Sequence, residues 1–191
     1  ADWQSCSDSF EEILDPVRSQ YLEAFVVVRC QYQGTHYSRC VYIWVDKDYA
    51  LVRGQHQGYP KKLASIHMTR PITVGQAGAR LESGGRFGAT VAAYDRRLIQ
   101  AEFEISGPSD HAGFVNGLPM LHNRIMPAIE GDGSDSLDEL VTMSAYQSEI
   151  GRTFTGDFKL ELFDSPTEEL TRLAPKELIA AYWREVSFSW K

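Results

Sequence analysis

Apolar and polar residues alternate along much of the chain, with the period of two that is typical of a half-buried strand. From Ile99 to Ile105 every second residue is apolar, and the residues between them are glutamine or glutamate. Two earlier segments, YLEAFVVVRCQY and HYSRCVYIWV, are rich in β-branched and aromatic residues, and Gln33-Gly34 between them predicts a hairpin turn. Nearly all of the chain after residue 20 is therefore predicted to be β-structure.

Further turn signals divide the rest of the chain into strands. Asp46–Asp48 is a tight connection that leads into a predicted strand at Tyr49–Val52. The segments SGGRFGATVAAYD and LIQAEFEIS are expected to pair across Asp95–Arg97. The remaining predicted strands are Leu118–Met126, Leu137–Glu149, Gly156–Leu162 and Leu178–Trp190.

One segment, SPTEEL, carries a helix signal. Ser165 is its predicted N-cap, Pro166 occupies the first helical position, Glu168 closes a capping box, and Pro175 ends the helix. Many antiparallel strands with few helices predict a mainly β (α+β) fold, namely an antiparallel β-barrel whose interior can hold one small ligand.

The chain length favours a single domain. Its 191 residues are enough to bury a sizeable core, and no repeat or linker divides them. The chain opens at Ala1 without a methionine, and Ala1–Gln4 already has the pattern of a strand interior. We therefore expect one domain, residues 1–191, which lacks an N-terminal portion of the full protein.

Composition and charge exclude several classes of partner. The net charge is -7 and the basic residues are scattered, which argues against a nucleic-acid surface. The longest purely apolar run, Ala24–Val28, is far too short to span a membrane, and no secretion signal is visible. The sequence predicts a cytoplasmic protein that binds neither nucleic acid nor a membrane.

The cysteines and histidines indicate no redox or metal chemistry. Three cysteines without CxxC spacing favour reduced thiols, although Cys30 and Cys40 lie on neighbouring predicted strands that a disulfide would fit. None of the five histidines has metal-ligand spacing. We predict that the protein uses no metal and no cofactor.

Two adjacent lysines, Lys61 and Lys62, stand out within the segment RGQHQGYPKKLASI. Pro60 fixes its own φ and pushes Tyr59 toward extended geometry, Gly58 allows close approach of another group, and the flanks are apolar. Because a charged lysine is seldom fully buried, a solvated turn is one interpretation of the pair. The apolar flanks favour the other, in which a lysine lies inside a pocket.

A lysine inside an apolar pocket is hard to keep protonated, because desolvation and a neighbouring cation both disfavour its charged form. The neutral amine is a nucleophile that forms Schiff bases with carbonyl compounds. In a regular strand Lys61 and Lys62 would point to opposite faces, so only one of them would enter the interior. Desolvation would then be the larger effect.

The segment GYPKKLASI resembles the signature of the acetoacetate decarboxylase family, in which Tyr-Pro-Lys-Lys or Phe-Pro-Lys-Lys carries the Schiff-base lysine first. QYLEAFVVV resembles the family segment with a pocket glutamate. PMLHNRIMPAIEGDG and TGDFKLELFDSPTEELTRLAPKEL resemble the C-terminal strands and the short helix that follows them. Acetoacetate decarboxylase is itself the standard example of a lysine activated by a neighbouring cation.

The resemblance implies a cone-shaped antiparallel β-barrel with the lysine inside. Lys61 would be the nucleophile, Lys62 its electrostatic neighbour and Glu23 a proton-transfer or orienting group. Asp2 would take the place of a second pocket carboxylate. The resemblance also implies assembly into a homo-oligomer.

The approach to the lysines departs from the pattern of the decarboxylase. Arg53, Gln55 and Gln57 resemble the arginine and glutamine of family members that are pyruvate-using aldolase–dehydratases. A guanidinium is suited to binding a substrate carboxylate in bidentate fashion. In a continuous strand Gln55 and Gln57 would share the face of Lys61, and Tyr59 would line the same substrate pocket.

The sequence therefore predicts a cofactor-independent carbon–carbon lyase that forms a Schiff base with a small oxo-acid, such as an acetoacetate-like β-keto acid. One alternative is a pyruvate-dependent aldolase–dehydratase that uses the same imine. An alternative of another class is a non-catalytic β-barrel that binds a small ligand.

Overall fold

The computed structural model describes residues 1–111, 113 and 117–190, and strands dominate its regular structure. The mainly β fold class is confirmed. The strands are β1 (Asp2–Gln4), β2 (Gln20–Tyr32), β3 (Thr35–Val45), β4 (Lys61–Leu63), β5 (Ser65–Met68), β6 (Arg86–Ala93), β7 (Arg96–Pro108), β8 (Met120–Pro127), β9 (Asp135–Met143), β10 (Ala145–Leu162) and β11 (Tyr182–Trp190). The helices are α1 (Pro16–Ser19), α2 (Asp48–His56) and the 3-10 helices Glu11–Leu14 and Leu170–Leu173.

The chain divides into two compact units. The first contains Ala1–Ala64, Asn116–Ala145 and Trp190–Lys191, and the second contains Ser65–Val115 and Tyr146–Ser189. Each unit carries one sheet, with the strand order β1-β2-β3-β8-β9 in the first and β11-β10-β7-β6-β5 in the second.

The first sheet is built on the predicted hairpin of β2 and β3. The strands pair antiparallel from Glu23–Val45 to Tyr32–Thr35, and they turn at Gln33 and Gly34, which have φ of 48° and 81°. Two further strands pair with β3 in parallel: β4, through Ile43 and Lys61, and β8, through Ser38 and Met120. The other pairings of the sheet are antiparallel, as the sequence predicted, and these two parallel pairings are the exception.

A fork opens in this sheet where β4 and β8 leave the same edge of β3. The backbone N–H of Cys40 lies between the two pairings, and it donates a hydrogen bond to Nε2 of His122 at 3.2 Å. A buried backbone donor needs a partner, so the imidazole replaces the missing strand neighbour. His122 is 1% exposed and Cys40 is 2% exposed.

The second sheet confirms the predicted pairing of SGGRFGATVAAYD with LIQAEFEIS. Strand β6 pairs with β7 from Arg86–Glu104 to Ala93–Arg96, and Tyr94, the first of the two residues between the strands, has φ of 55°. One face of the sheet buries Phe87, Phe103 and Ile105, and it packs against Phe154, Phe158 and Trp183.

The prediction of a strand at Tyr49–Val52 is wrong, because α2 occupies this segment. The end of the helix shows which signal outweighed the β-branched and aromatic residues. Tyr59 N–H donates to the Gly54 carbonyl and Gly58 N–H to the Gln55 carbonyl, while Gly58 has φ of 79°. This is a Schellman motif, in which the left-handed glycine ends a helix.

Two other boundaries differ from the predictions. SPTEEL forms a turn in which the Ser165 and Glu168 backbones pair, and the 3-10 helix begins later, at Leu170. Asp164 caps it by accepting the Thr171 N–H at 2.8 Å. The predicted strand Leu137–Glu149 is two strands, β9 and β10, separated by Ser144.

Candidate active site

Lys61 lies at the start of β4, where its side chain is buried against a carboxylate. Its Nζ lies 2.8 Å from Oε2 of Glu23, and the two side chains are 5% and 9% exposed. Glu23 comes from β2 and Lys61 from β4, and β3 pairs with both strands. The structure thus brings together the predicted nucleophile and the predicted proton-transfer group.

Two tyrosine rings enclose the amine. Nζ of Lys61 lies 5.5 Å from the ring centroid of Tyr21 and 5.7 Å from that of Tyr59. Aromatic faces at this distance attract a cation, so they stabilise the charged pair without supplying a second acceptor. Burial raises the pKa of both phenols, and the negative charge of Glu23 acts in the same direction. Both tyrosines are therefore neutral at physiological pH.

Gly54 of α2 makes room for the lysine stem, a role that the sequence analysis missed. A Cβ built on Gly54 would lie 2.3 Å from Cδ of Lys61, 2.5 Å from Cε and 2.7 Å from Cγ. Any side chain here would overlap the path of the amine into the site. The glycine within an otherwise helical segment was the available signal, since a helix interior disfavours glycine without a packing reason.

Gly58 fits a second close approach at the end of the helix. Its Cβ would lie 3.0 Å from Cβ of His122 and 3.1 Å from side-chain atoms of Arg124 and Val141. The ring of the next residue, Tyr59, packs on the His122 ring with centroids 4.3 Å apart. The helix end is thereby held against β8, and Pro60 then leads directly into β4.

Helical rather than strand spacing decides which side chains accompany Arg53. Arg53 and Gln57 are four residues apart, so they lie on one face of α2 and its end. Both line an open groove of about 650 Å³ together with Tyr49, Val52, His56 and Asp48. Gln55 is exposed and does not line the groove. The shared face predicted for Gln55 and Gln57 with Lys61 rested on a strand, and that local prediction is wrong.

The guanidinium of Arg53 is bonded to hydroxyl groups only. It donates to Oγ of Ser5 at 2.7 Å and to the hydroxyl of Tyr21 at 3.0 Å. Within the described part of the chain it has no carboxylate partner. A partly buried arginine without a counter-ion is available to bind an anionic ligand.

The short strand β1 presents Trp3 to the site instead of Asp2. Trp3 is paired with Tyr21 in the antiparallel register, while Asp2 is exposed. The indole Nε1 of Trp3 donates to Oε1 of Glu23 at 3.1 Å. The structure does not bring Asp2 to the Lys61 amine, because alternate residues of a strand face opposite sides.

Lys62 follows Lys61 but is less buried than it. The next residue of β3, Trp44, is its partner in the sheet, whereas Lys61 is paired with Ile43. Alternation along β4 therefore separates the two amines, as expected for a strand.

Buried side chains that carry no charge border the site along β3. Burial raises the pKa of the Cys40 thiol to about 12, and burial followed by the charge of Arg39 lowers the pKa of His122 to about 4. Cys40 packs with Ile43 and Met120, and the ring of Tyr59 covers this cluster. Cys40 and His122, which lie on this side of the ion pair, are therefore uncharged at neutral pH.

The described residues show neither a cluster of metal ligands nor a helix that could span a membrane. They contain no group of three or more His, Cys, Asp or Glu side chains that would hold a metal ion. None of their helices has the length and apolar character needed to cross a membrane.

Comparison with known proteins places this geometry in a family. A sequence model of the acetoacetate decarboxylase family matches residues 1–191. The enduracididine biosynthesis enzyme MppR is 32% identical, with a TM-score of 0.85 over 99% of this chain and 69% of its own. That structure holds the condensation product of pyruvate and imidazole 4-carboxaldehyde, and another structure of MppR holds pyruvate. A search of curated proteins gave no significant match.

Two more distant structures share the fold. An acetoacetate decarboxylase-like enzyme from Sphingomonas wittichii RW1 is 25% identical, with a TM-score of 0.80 over 98% of this chain and 72% of the other. A structure of acetoacetate decarboxylase is 18% identical, with a TM-score of 0.69 over 90% of this chain and 69% of the other, and it supports the fold alone. From the match over its whole length, the chain belongs to the acetoacetate decarboxylase family.

Proposed function

We propose that this protein is an enzyme that forms a Schiff base between Lys61 and a small oxo-acid. The observation that carries the proposal is the buried contact of 2.8 Å between the lysine amine and the Glu23 carboxylate. A nucleophilic amine needs a base within hydrogen-bond distance to accept its proton, and Glu23 fulfils that condition.

Burial of the pair favours the proton transfer. Two charges that are removed from water lose several kcal/mol of solvation each, and their mutual attraction only partly restores it. Movement of one proton from Nζ to Oε2 removes both charges at once. The result is a neutral amine next to a neutral acid, which is the reactive state for attack on a ketone.

The reaction would proceed through an iminium. Neutral Lys61 attacks the ketone carbon, the carbinolamine loses water, and the iminium withdraws electrons from the adjacent carbon. A β-keto acid would then lose its carboxylate as CO2 and leave an enamine. Pyruvate would instead lose a proton from its methyl group, and the enamine would add to an aldehyde before the product loses water.

Arg53 and Gln57 are proposed to hold the carboxylate of the oxo-acid. They line one groove, and within the described residues the guanidinium has hydroxyl partners only, so a carboxylate would supply a counter-ion. A retained carboxylate suits the aldolase–dehydratase route, because decarboxylation expels that group. MppR, the relative at 32% identity, binds pyruvate. We therefore favour pyruvate as the donor and carbon–carbon bond formation with an aldehyde as the reaction, with decarboxylation as the second candidate.

Reductive trapping tests the proposal directly. Purified protein would be incubated with pyruvate or with acetoacetate, reduced with borohydride, digested and mapped by mass spectrometry. We expect an adduct on Lys61 that Lys61→Ala abolishes and that the matched variant Lys62→Ala retains. Binding of pyruvate without an adduct would support the non-catalytic ligand-binding protein instead.

Product analysis separates the two routes. Release of CO2 from acetoacetate would support the decarboxylase, whereas condensation of pyruvate with an aldehyde would support the aldolase–dehydratase. We also propose a cytoplasmic location and assembly into a homo-oligomer. Light scattering would measure the mass of the oligomer.

A further inference from the structure

The segment Trp3–Ser5 touches both charged groups to which the proposed function assigns a role. The indole of Trp3 bonds Glu23 at 3.1 Å, and the hydroxyl of Ser5 accepts from Arg53 at 2.7 Å. Trp3 and Ser5 are two positions apart, so both point to the same side of an extended segment. Backbone bonds fix this segment on β2 and at Ser19, whose carbonyl accepts the Ser5 N–H at 2.8 Å.

We propose that this segment positions the catalytic groups, with Trp3 selecting the oxygen of Glu23 that carries the proton and Ser5 orienting the guanidinium of Arg53. The inference rests on the proposed Schiff-base function, and it concerns residues that do not touch the reacting atoms. It depends on the different partners of the two carboxylate oxygens of Glu23, since Oε1 accepts from Trp3 and Oε2 from Lys61.

The indole N–H is a donor only. Oε1 of Glu23 accepts from that donor, so a proton on Oε1 would weaken the hydrogen bond from the indole. Oε2 faces Nζ of Lys61 at 2.8 Å. A proton that leaves the amine is therefore confined to Oε2, and the same oxygen returns it to the substrate. Without the indole the carboxyl would be free to rotate and to carry its proton on the oxygen that faces away.

Several other groups lie near the Glu23 carboxylate. Lys61 is its direct partner, and Tyr21, Tyr59 and Cys40 lie close enough to interact with its charge. Burial raises the pKa of both tyrosines and of the thiol, so these three stay neutral at acid and neutral pH. Burial lowers the pKa of His122 to about 4, and its ring contacts that of Tyr59. Each kcat–pH profile is therefore also measured in protein that carries His122→Gln.

Trp3→Phe removes the indole N–H and keeps an aromatic ring. We expect kcat to fall roughly tenfold to a hundredfold, as for loss of one hydrogen bond to a charged group. The acid limb of the kcat–pH profile should move to higher pH, because the charged carboxylate loses a donor. The matched control is Trp44→Phe, since the Trp44 N–H is buried and has no hydrogen-bond partner in the described residues. An acid limb that stays in place in Trp3→Phe would overturn the Trp3 role.

Ser5→Ala tests whether Ser5 orients the guanidinium of Arg53. Loss of the hydroxyl should raise KM for the oxo-acid about threefold to tenfold, the size expected for one ordinary hydrogen bond, and leave kcat and the acid limb unchanged. An unchanged KM would overturn the Ser5 role. The separation of KM from kcat is not expected from a purely structural role of the segment.

An NMR titration makes the Trp3 inference independent of activity. In protein with 15N-labelled tryptophan, the indole signal that is missing in Trp3→Phe should shift as Glu23 titrates, and it should stop shifting in Glu23→Gln. A Trp3 signal that is identical in wild type and Glu23→Gln would overturn the inference even if Lys61 forms its adduct. Absence of the adduct, with a normal NMR titration, would instead overturn the proposed function.

Discussion

Each compact unit buries one glutamate, and the two carboxylates have different partners. Glu23 of the first unit is 7% exposed and bonds the Lys61 amine. Glu168 of the second unit is fully buried, and its carboxylate accepts hydrogen bonds from the hydroxyls of Ser165 and, at 2.6 Å, Thr167. Residue type and burial are thus nearly the same in the two places, but the chemistry is not.

The distance along the chain to the partner explains the difference. The hydroxyl groups that bond Glu168 lie within three residues of it, in one turn that its own backbone closes. The partner of Glu23 lies 38 residues away on another strand. A local set of hydroxyl donors stabilises a turn and exchanges no proton with a base. A distant amine held at 2.8 Å requires the whole sheet to keep its register, and it creates a pair between which a proton can move.

The sharpest test of this comparison is the same substitution at both sites. Glu23→Gln should lower kcat by about 10²–10⁴, the usual loss when a general acid–base group is removed. Glu168→Gln should leave kcat within about twofold and lower the free energy of unfolding by about 1–3 kcal/mol, because an amide NH2 replaces a buried acceptor oxygen. Steady-state kinetics and urea unfolding at pH 7.5 measure both quantities.

Stability needs a separate control at Glu23. Removal of one partner from a buried ion pair destabilises a protein by about 3–5 kcal/mol, so Glu23→Gln should also unfold at lower urea. The kinetics are therefore measured where the variant is fully folded by circular dichroism. If Glu168→Gln lost activity as strongly as Glu23→Gln while remaining folded, the distinction between the two carboxylates would fail.

Much of the first unit could be predicted from the sequence, because its signals are local. The predicted strands YLEAFVVVRCQY and HYSRCVYIWV and the Gln33-Gly34 hairpin between them formed as expected, and Lys61 is buried while Lys62 is less so. The helix α2 was missed because Tyr49–Val52 has strand-forming residues. The order Gly58, then Pro60, is nevertheless a helix-stop signal in its own right.

Contacts between distant segments could not be predicted. Nothing in the sequence indicates that Trp3 bonds Glu23 or that His122 fills the gap beside Cys40, because both depend on the register and on the fork of β3. Gly54 faces Lys61 only because α2 folds back on β4. These interactions depend on the three-dimensional arrangement of the strands, and no motif encodes them.

Substitution of Gly54 gives the next largest expected loss of kcat, and Gly107 provides its control. Gly54→Ala would put a methyl group 2.3 Å from Cδ of Lys61, so the amine should move away from Glu23 and kcat should fall by about a hundredfold, as for a misplacement near 1 Å. Imine trapping should fall in parallel. The matched control is Gly107→Ala in β7 of the second unit, where nothing lies within 4 Å of the new carbon and activity should be unchanged.

The sign of the stability change adds a second criterion. In an exposed helix, glycine to alanine stabilises by about 1 kcal/mol. Overlap with the lysine stem should reverse that sign at Gly54, and urea unfolding would show it. A stabilised, fully active Gly54→Ala protein would mean that the lysine reaches the site by another path.

The smallest effect concerns stability alone and comes from the buried histidine of the first unit. Burial lowers the pKa of His122 to about 4, whereas a histidine in the unfolded chain titrates near its ordinary value of about 6.5. Between these values the unfolded chain binds more protons, so the stabilisation is complete above pH 6.5 and is lost as the pH falls toward 4. The free energy of unfolding should drop by about 2 kcal/mol between pH 7 and pH 5 from this residue.

His122→Gln isolates that contribution. The glutamine amide keeps an acceptor for the Cys40 N–H but does not titrate, so its unfolding free energy should fall about 2 kcal/mol less over the same range. His67 of the second unit is exposed, so His67→Gln should keep the full wild-type slope. Equal slopes in wild type and His122→Gln would mean that the imidazole is protonated in the folded protein at pH 5. The Cys40 N–H would then have lost its acceptor, and the fork between β4 and β8 would have to close in another way.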